Sequence, residues 1–186
     1  MTFKPIETKR LIIRKFRPDD FTELFEYLSD EAVVRFEPYE PYTLEQTKRE
    51  AEFRSNSDEF FAVTLKEDGT LIGNLFLGKR EFDCYEIGYV FNRSWQMSGY
   101  ATEAASSLMD YAFGTLHAHR VIARCNALNY RSYKLMERLG MRREAEHLKN
   151  VWFKKDFLGN PVWQDTLQYA ILSYEWQSLE RSGIPQ

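Results

Sequence analysis

Cysteine is scarce in this chain of 186 residues, with Cys84 and Cys125 the only two. Two thiols cannot form a disulfide framework, and their spacing matches no metal site. They lie on two segments read below as parallel strands, Cys84 opening one and Cys125 closing the other. That placement puts them roughly 15–20 Å apart, beyond disulfide reach, so both read as small buried hydrophobes. The three histidines, His117, His119 and His147, also lack a metal pattern, so no metal is expected. No apolar stretch approaches the ~20 residues needed to span a bilayer. The opening Met1-Thr2-Phe3-Lys4-Pro5 has no apolar core of signal-peptide length, and a cytoplasmic protein is expected. Neither sign of charge dominates: 25 basic and 28 acidic residues leave −3. Global attraction to nucleic acid or an anionic membrane therefore does not follow, and no basic run or glycine–arginine tract points to RNA. Internal repeats and low-complexity linkers are missing too. With 44% hydrophobic residues, the chain fits one domain, residues 1–186, with a sizeable core. Much of its 16% aromatic content must lie in that core.

Thr8 to Phe16 reads as a first strand. Arg17-Pro18-Asp19-Asp20 then starts a helix, with Asp19 or Asp20 as cap and Phe21, Leu24, Phe25 and Leu28 as its apolar face. After the turn-rich Glu37-Pro38-Tyr39-Glu40-Pro41-Tyr42, Thr43 and Gln46 have capping-box spacing for a second helix, and Glu45 in its first turn suits the dipole. Phe60–Leu65 and Leu71–Leu77 flank Glu67-Asp68-Gly69-Thr70, a strong hairpin signal. Cys84 to Phe91 continues the antiparallel meander.

Ala101 to Leu116 places Ala104, Ala105, Leu108, Ala112 and Leu116 on one helical face. Between strand and helix lies Trp95-Gln96-Met97-Ser98-Gly99-Tyr100. Gly99 lets a ligand approach the backbone, and the first amides of a helix lack internal partners, so the junction suits phosphate. His119 to Asn126 is the next strand, and a strand, crossover helix and strand imply parallel neighbours. Asn129 begins a helix over Tyr130 to Leu139 that Gly140 closes in the left-handed conformation. Met141 onward returns to strand, and Trp163 to Tyr174 is the closing strand.

Gln96-x-x-Gly99-x-Ala101 followed by Thr102-Glu103-Ala104 resembles the pyrophosphate loop of GNAT-superfamily N-acetyltransferases. The wording Gly-Tyr-Ala-Thr-Glu-Ala is similar to the branch of RimJ/RimL ribosomal-protein N-terminal acetyltransferases. Thr8-x-Arg10-Leu11-x-x-Arg14 followed by Asp19-Asp20 resembles the same branch. Asn129-x-x-Ser132-x-x-Leu135-x-Glu137-x-x-Gly140-Met141 is similar to the second GNAT signature, one strand after the first. Arg142 to His147, Trp163-Gln164-Asp165 and Tyr169-Ala170 extend the likeness, which covers roughly Ile6 to Tyr174.

The resemblance implies a mixed α/β (α+β) fold of one GNAT-like domain. Its central sheet would be antiparallel in the first half, with a parallel pair splayed around acetyl-CoA and helices flanking it. It implies acetyl transfer from acetyl-CoA to an amine, foremost a protein or peptide N-terminus. A small amine, or an acyl-CoA-binding domain without catalysis, are the other readings. No direct nucleic-acid or membrane partner is implied, and a homodimer is left open. Backbone groups near Tyr89, Val90 and Phe91 would pair with the pantetheine arm. Amides of Met97, Ser98, Gly99, Tyr100, Ala101 and Thr102 would take the pyrophosphate, and Asn129 would contact the arm.

The amine must lose a proton, and the departing thiolate gains one. The family's tyrosine acid would fall at Met136, so that mechanism does not carry over. Ser132 matches a serine proposed for thiolate protonation, and helix packing is its alternative. The branch's glutamate base would fall near Val151. Glu86 is the leading candidate base, with a salt-bridge role as the competing reading. Glu103 is expected to serve the helix dipole. Tyr39 and Tyr42 are candidate walls of the acceptor site, His147 a candidate lining residue, and Asp165 either binds an amine or pairs structurally.

Overall fold

The computed structural model describes residues 3–181, with side chains through residue 179. Residues 1–2 and 182–186, the outer ends of the expected domain and the start of Met1–Pro5, lie outside the described residues. The first strand is in fact two, β1 (Ile6–Glu7) and β2 (Leu11–Lys15). The Thr8 hydroxyl accepts the Leu11 amide at 2.9 Å, and the Thr8 amide donates to the Leu11 carbonyl at 2.9 Å. That exchange folds Thr8–Arg10 into a turn where continuous extension was expected.

α1 (Phe21–Leu28) follows a single 3₁₀ turn, Pro18–Asp20. Asp20 holds the cap position without capping the helix. Its oxygens accept both Arg14 terminal nitrogens at 2.8 and 2.7 Å and the Arg17 amide at 2.7 Å. A forked guanidinium is a stronger partner for a carboxylate than a helix amide. A short α2 (Glu31–Val34), not foreseen, is capped by Asp30. α3 (Leu44–Ser55) carries the expected capping box between Thr43 and Gln46. β3 (Phe60–Leu65) and β4 (Leu71–Lys79) form the expected hairpin, and β5 (Cys84–Phe91) pairs antiparallel with β4.

α4 (Tyr100–Gly114) crosses over to β6 (Arg120–Asn126), the strand parallel to β5. α5 (Tyr130–Arg138), β7 (Arg142–Lys155), β8 (Pro161–Leu172) and α6 (Ser173–Arg181) complete the chain. One sheet of eight strands results, ordered β1-β2-β3-β4-β5-β6-β8-β7 and antiparallel except at β5–β6. The last strand is therefore not an edge: it inserts between β6 and β7. Leu167, Tyr169, Ala170 and Ile171 of β8 are buried, whereas no residue of β7 is. The apolar strand takes the interior and the charged one the edge, where solvent faces its side chains. β8 also stops earlier than expected, at Leu172, whose amide donates to Glu175 as α6 begins.

Alternation along the strands sends side chains to two helical layers. Leu11, Ile13, Phe61, Val63, Ile87 and Val121 pack beneath α4 and α5. Ala62, Phe16 and Leu71 pack with Leu24, Tyr27, Leu28, Val34 and Ala51 of α1–α3. Small residues Ala104, Ala105 and Ala112 let α4 lie close on the sheet around fully buried Leu108 and Met109.

Candidate active site

Parallel pairing joins β5 to β6 only from Cys84–Arg120 to Glu86–Ile122. Beyond it, β5 stays paired with β4 as far as Gly73–Phe91, and β6 with β8 as far as Asn126–Thr166. From Ile87 and Ala123 onward, then, one backbone edge of each strand faces a gap. An extended chain bearing amides can enter such a gap as a strand would. The gap opens into a cleft of about 1650 Å³. Tyr89, Trp95, Tyr100 and Ser132 line it from the α4–α5 layer, and Tyr39, Tyr42, Phe60 and Asn74 from the α1–α3 side, so the cleft passes through the sheet.

At the end of β5, a 3₁₀ turn over Arg93–Trp95 leads into the glycine loop. Gln96 fixes that loop from both ends of its side chain. Its amide nitrogen donates to the Phe91 carbonyl at 2.8 Å, and its oxygen accepts Arg131 at 2.7 Å. Met97 (φ 63°) and Gly99 (φ 81°) are both left-handed, which curls the loop. A side chain at Gly99 would meet only the Arg10 guanidinium, at 3.4 Å, so the backbone angle rather than crowding calls for glycine there.

The amides of Tyr100, Ala101 and Thr102 have no partner among the described residues, while Glu103 already donates to the Gly99 carbonyl at 3.0 Å. Arg138 reaches the Thr102 hydroxyl at 3.4 Å, and Arg10 and Arg131 hold the loop itself. Orphan amides, a helix N-terminus and three guanidinium groups suit a pyrophosphate, and the chain fits acetyl-CoA.

Glu103 does more than complement the dipole. Its carboxylate accepts the Thr8 hydroxyl at 2.6 Å, the Arg10 amide at 2.9 Å and Arg10 Nε at 2.7 Å. Burial pushes this acid up, but those hydrogen bonds from Thr8 and Arg10 outweigh it and hold it below its usual value. Arg10 also donates to the Ser98 carbonyl at 2.9 Å and lies 4.2 Å from the Tyr100 ring centroid. The β1–β2 turn thus braces the loop, through contacts that separations of 88 to 95 residues hid from the sequence.

Of the expected cofactor residues, Tyr89, Val90, Phe91, Met97, Gly99, Tyr100, Ala101, Thr102 and Asn129 line the cleft. Ser98 does not, and its carbonyl serves Arg10. Asn129 caps α5, accepting the Ser132 amide at 3.2 Å. Ser132 meets the Tyr89 phenol, which donates to its carbonyl at 2.8 Å and lies 3.1 Å from its hydroxyl. Burial pushes the Tyr89 phenol up, and the Cys125 thiol up to about 11. Met136 lines the cleft as a buried apolar residue, and half-buried Val151 lines it without a carboxylate.

Glu86 also lines the cleft, but one oxygen pairs with Arg80 at 3.0 Å and the other with Arg124 at 3.6 Å. Asp165 pairs structurally, accepting the Lys149 amide at 2.7 Å. Tyr39, Tyr42 and His147 line the cleft. Both cysteines are free, and no metal-holding cluster occurs among the described residues. No described helix is long and apolar enough to cross a membrane. The sequence passed over Glu37 and Arg54, which line the α1–α3 end of the cleft. Nothing local marks either one: Glu37 reads as part of the turn-rich segment before Thr43, and Arg54 as one of several charged residues on α3.

Residues 10–142 match the acetyltransferase (GNAT) domain family. The chain is 39% identical to an uncharacterised N-acetyltransferase, YnaD of Bacillus subtilis, across 92% of this chain and 98% of that one. It is 32% identical to the ribosomal protein uS5-alanine N-acetyltransferase of Escherichia coli over 50% of this chain and 44% of that one. The crystal structure of a GNAT-family acetyltransferase from Bacillus anthracis superposes with a TM-score of 0.85. It is 36% identical and matches across 92% of this chain and 99% of that one.

Proposed function

The chain belongs to the GNAT family of acetyltransferases, and on that premise we propose that it acetylates the amine of a peptide or protein N-terminus. Acetyl-CoA is the cosubstrate of the family and supplies an acyl group already activated as a thioester. The observation that carries the reading is the cleft through the sheet, with a glycine loop and unpaired helix amides in one layer and a separate aromatic-walled opening in the other. Two reactants entering from opposite faces meet in the gap between β5 and β6, and holding them in register supplies much of the rate.

In this reading the amides of Met97 to Thr102 hold the pyrophosphate, and the free edges of Ile87–Phe91 and Ala123–Asn126 orient the arm. An amide of β5 facing the gap polarises the acyl oxygen. Ser132, positioned by Tyr89, gives a hydrogen bond to the departing sulfur. Both Glu86 oxygens are engaged by guanidinium groups, so an incoming ammonium has to displace an arginine to reach them. That weighs toward the ion-pair role for Glu86.

A peptide acceptor is supported by two segments lining the acceptor end, the loop carrying Glu37–Tyr42 and the β7 arm carrying Asn150–Phe153. Lys154 and Glu40 tie them together at 3.3 Å. The partial likeness to a ribosomal-protein acetyltransferase agrees. Thiol release from acetyl-CoA with a panel of free-N-terminus peptides, amino acids, polyamines and aminoglycosides tests the proposal, with mass spectrometry of the products. Peptide α-acetylation is expected. Acetylation of small amines alone would refute the acceptor, and acetyl-CoA binding without turnover would make this a non-catalytic binding domain.

A further inference from the structure

Three carboxylates line the cleft: Glu37, Glu50 and Glu86. Glu50 is paired with Arg54 at 2.7 Å, and Glu86 with Arg80 and Arg124. The Glu37 carboxylate makes no hydrogen bond or ion pair among the described residues. It stands in the loop after α2, beside Tyr39 and Tyr42, whose ring centroids are 5.0 Å apart. The same cleft is lined by Phe60 and Phe76, paired at 5.2 Å, and by Asn74, which accepts the Tyr27 hydroxyl at 3.1 Å.

Arg54 is the nearby cation; it pulls on the Glu37 carboxylate without bonding to it, and its Nη1 is buried with no hydrogen-bond partner among the described residues. Its Nε holds Glu50, and its guanidinium carbon lies 4.7 Å from the Phe60 ring centroid and 5.5 Å from that of Phe16. Arg54 bonds to Glu50 and offsets Glu37 only from a distance, so Glu37 stands among aromatic faces as a carboxylate with no ion pair of its own among the described residues. Such a setting selects a primary ammonium, which gains the carboxylate and the ring quadrupoles together.

We propose that Glu37 receives the acceptor's ammonium group and is the general base of acetyl transfer, acting directly at the opening on the α1–α3 side. This rests on the acetyltransferase reading above and gives Glu37 the role for which the sequence's leading candidate was Glu86. The step balances. The ammonium passes one proton to the Glu37 carboxylate, and the freed lone pair attacks the acyl carbon. A C–N bond forms, and the C–S bond breaks with its electron pair on sulfur. The second nitrogen proton ends on the thiolate, giving a neutral amide and a free thiol. Glu37 then returns its proton to solvent, so one proton is released per turnover.

A base for this step must be unprotonated near neutrality and still hold a proton once it takes one. Burial pushes the Glu37 carboxyl up to about 7, against a smaller opposing pull from Arg54. The other groups facing it are Glu50 from α3, Tyr27 from α1, Tyr39 and Tyr42 from its own loop, and Arg35 from the end of α2. β3 and β4 contribute no charged side chain to this end.

The test is Glu37→Gln in the full chain, with initial rates from pH 5.5 to 9 on the best peptide or amine of the panel. Turnover should fall roughly 10²–10⁴-fold. The wild-type rise in kcat/KM through pH 7 should disappear, and acetyl-CoA affinity by calorimetry should stay within a factor of about two. A second readout needs neither substrate. A native acid raised above its unfolded value stabilises the fold at low pH and loses that contribution as pH rises through about 7. Wild type should therefore lose melting temperature between pH 5 and 8 relative to Glu37→Gln. A variant that keeps wild-type turnover and its acid limb would overturn the assignment while leaving acetyl transfer intact. Melting differences that do not vary with pH would also overturn it, since the carboxyl would then be ionised across that range. If wild type acetylates no amine at all, the acetyltransfer reading fails and takes this one with it.

Discussion

Replacing Glu103 by alanine removes the brace between the β1–β2 turn and the first turn of α4. Three hydrogen bonds go with it, from the Thr8 hydroxyl, the Arg10 amide and Arg10 Nε. Bonds to a charged acceptor contribute about 1.5–3 kcal/mol each when buried. Two offsets reduce that total. The Arg10 side chain is 39% exposed, so its ion pair is partly screened by solvent. The Thr8 hydroxyl also keeps an alternative acceptor, the Leu11 carbonyl at 3.3 Å.

The net loss should be about 2–3 kcal/mol, or roughly 5–10 °C of melting temperature for a domain of this size. Denaturant titration at pH 7 measures it. Because Arg10 holds the Ser98 carbonyl, acetyl-CoA affinity should fall in parallel, by about three- to tenfold. Glu103→Gln should lie between wild type and alanine. The acid is held below its usual value, so this stability is present above the unfolded value of 4.5 and is lost as pH falls through the native one. The difference between wild type and variant should therefore narrow in acid. A loss below about 0.5 kcal/mol at pH 7, or one independent of pH, would refute the brace.

Gly99→Ala should lower acetyl-CoA affinity by about tenfold or more and stability by about 1–2 kcal/mol, since φ is 81° there. Unchanged affinity in calorimetry would reduce the loop to a turn. Ser132→Ala should lower kcat by roughly 10–100-fold with little change in cofactor affinity. Tyr89→Phe should give part of the same loss, because the Ser132 hydroxyl loses its 3.1 Å partner. Single-turnover rates with melting controls check both, and wild-type kcat in each would mean that solvent protonates the sulfur. Leu108→Ala, at the fully buried centre of α4, should cost about 2–5 kcal/mol in denaturant titration.

Local chemistry was enough to read several elements from the sequence. The Thr43–Gln46 capping box, the Asp68-Gly69 hairpin and the left-handed stop at Gly140 each depend on residues within a few positions of one another. The loop from Gln96 to Thr102 was legible as a helix N-terminus with free amides, and its wording, which resembles the GNAT pyrophosphate loop, is what marked it as a phosphate site. The crossover from β5 through α4 to β6 followed from the order of elements and handedness alone.

Tertiary structure decided what depends on partners distant in the chain. The place of β8 between β6 and β7 is set by which strand has apolar residues to bury, a comparison that only the assembled sheet makes. Asp20 and Glu103 sit where helix chemistry expects them, yet Arg14 and Arg10 claim their carboxylates. Glu86 looked available as a strand carboxylate until Arg80 and Arg124 converged on it. Glu37, by contrast, gained its character from what is missing around it. A carboxylate's basicity reflects its desolvation and its neighbours' charges, and both exist only after distant segments pack together.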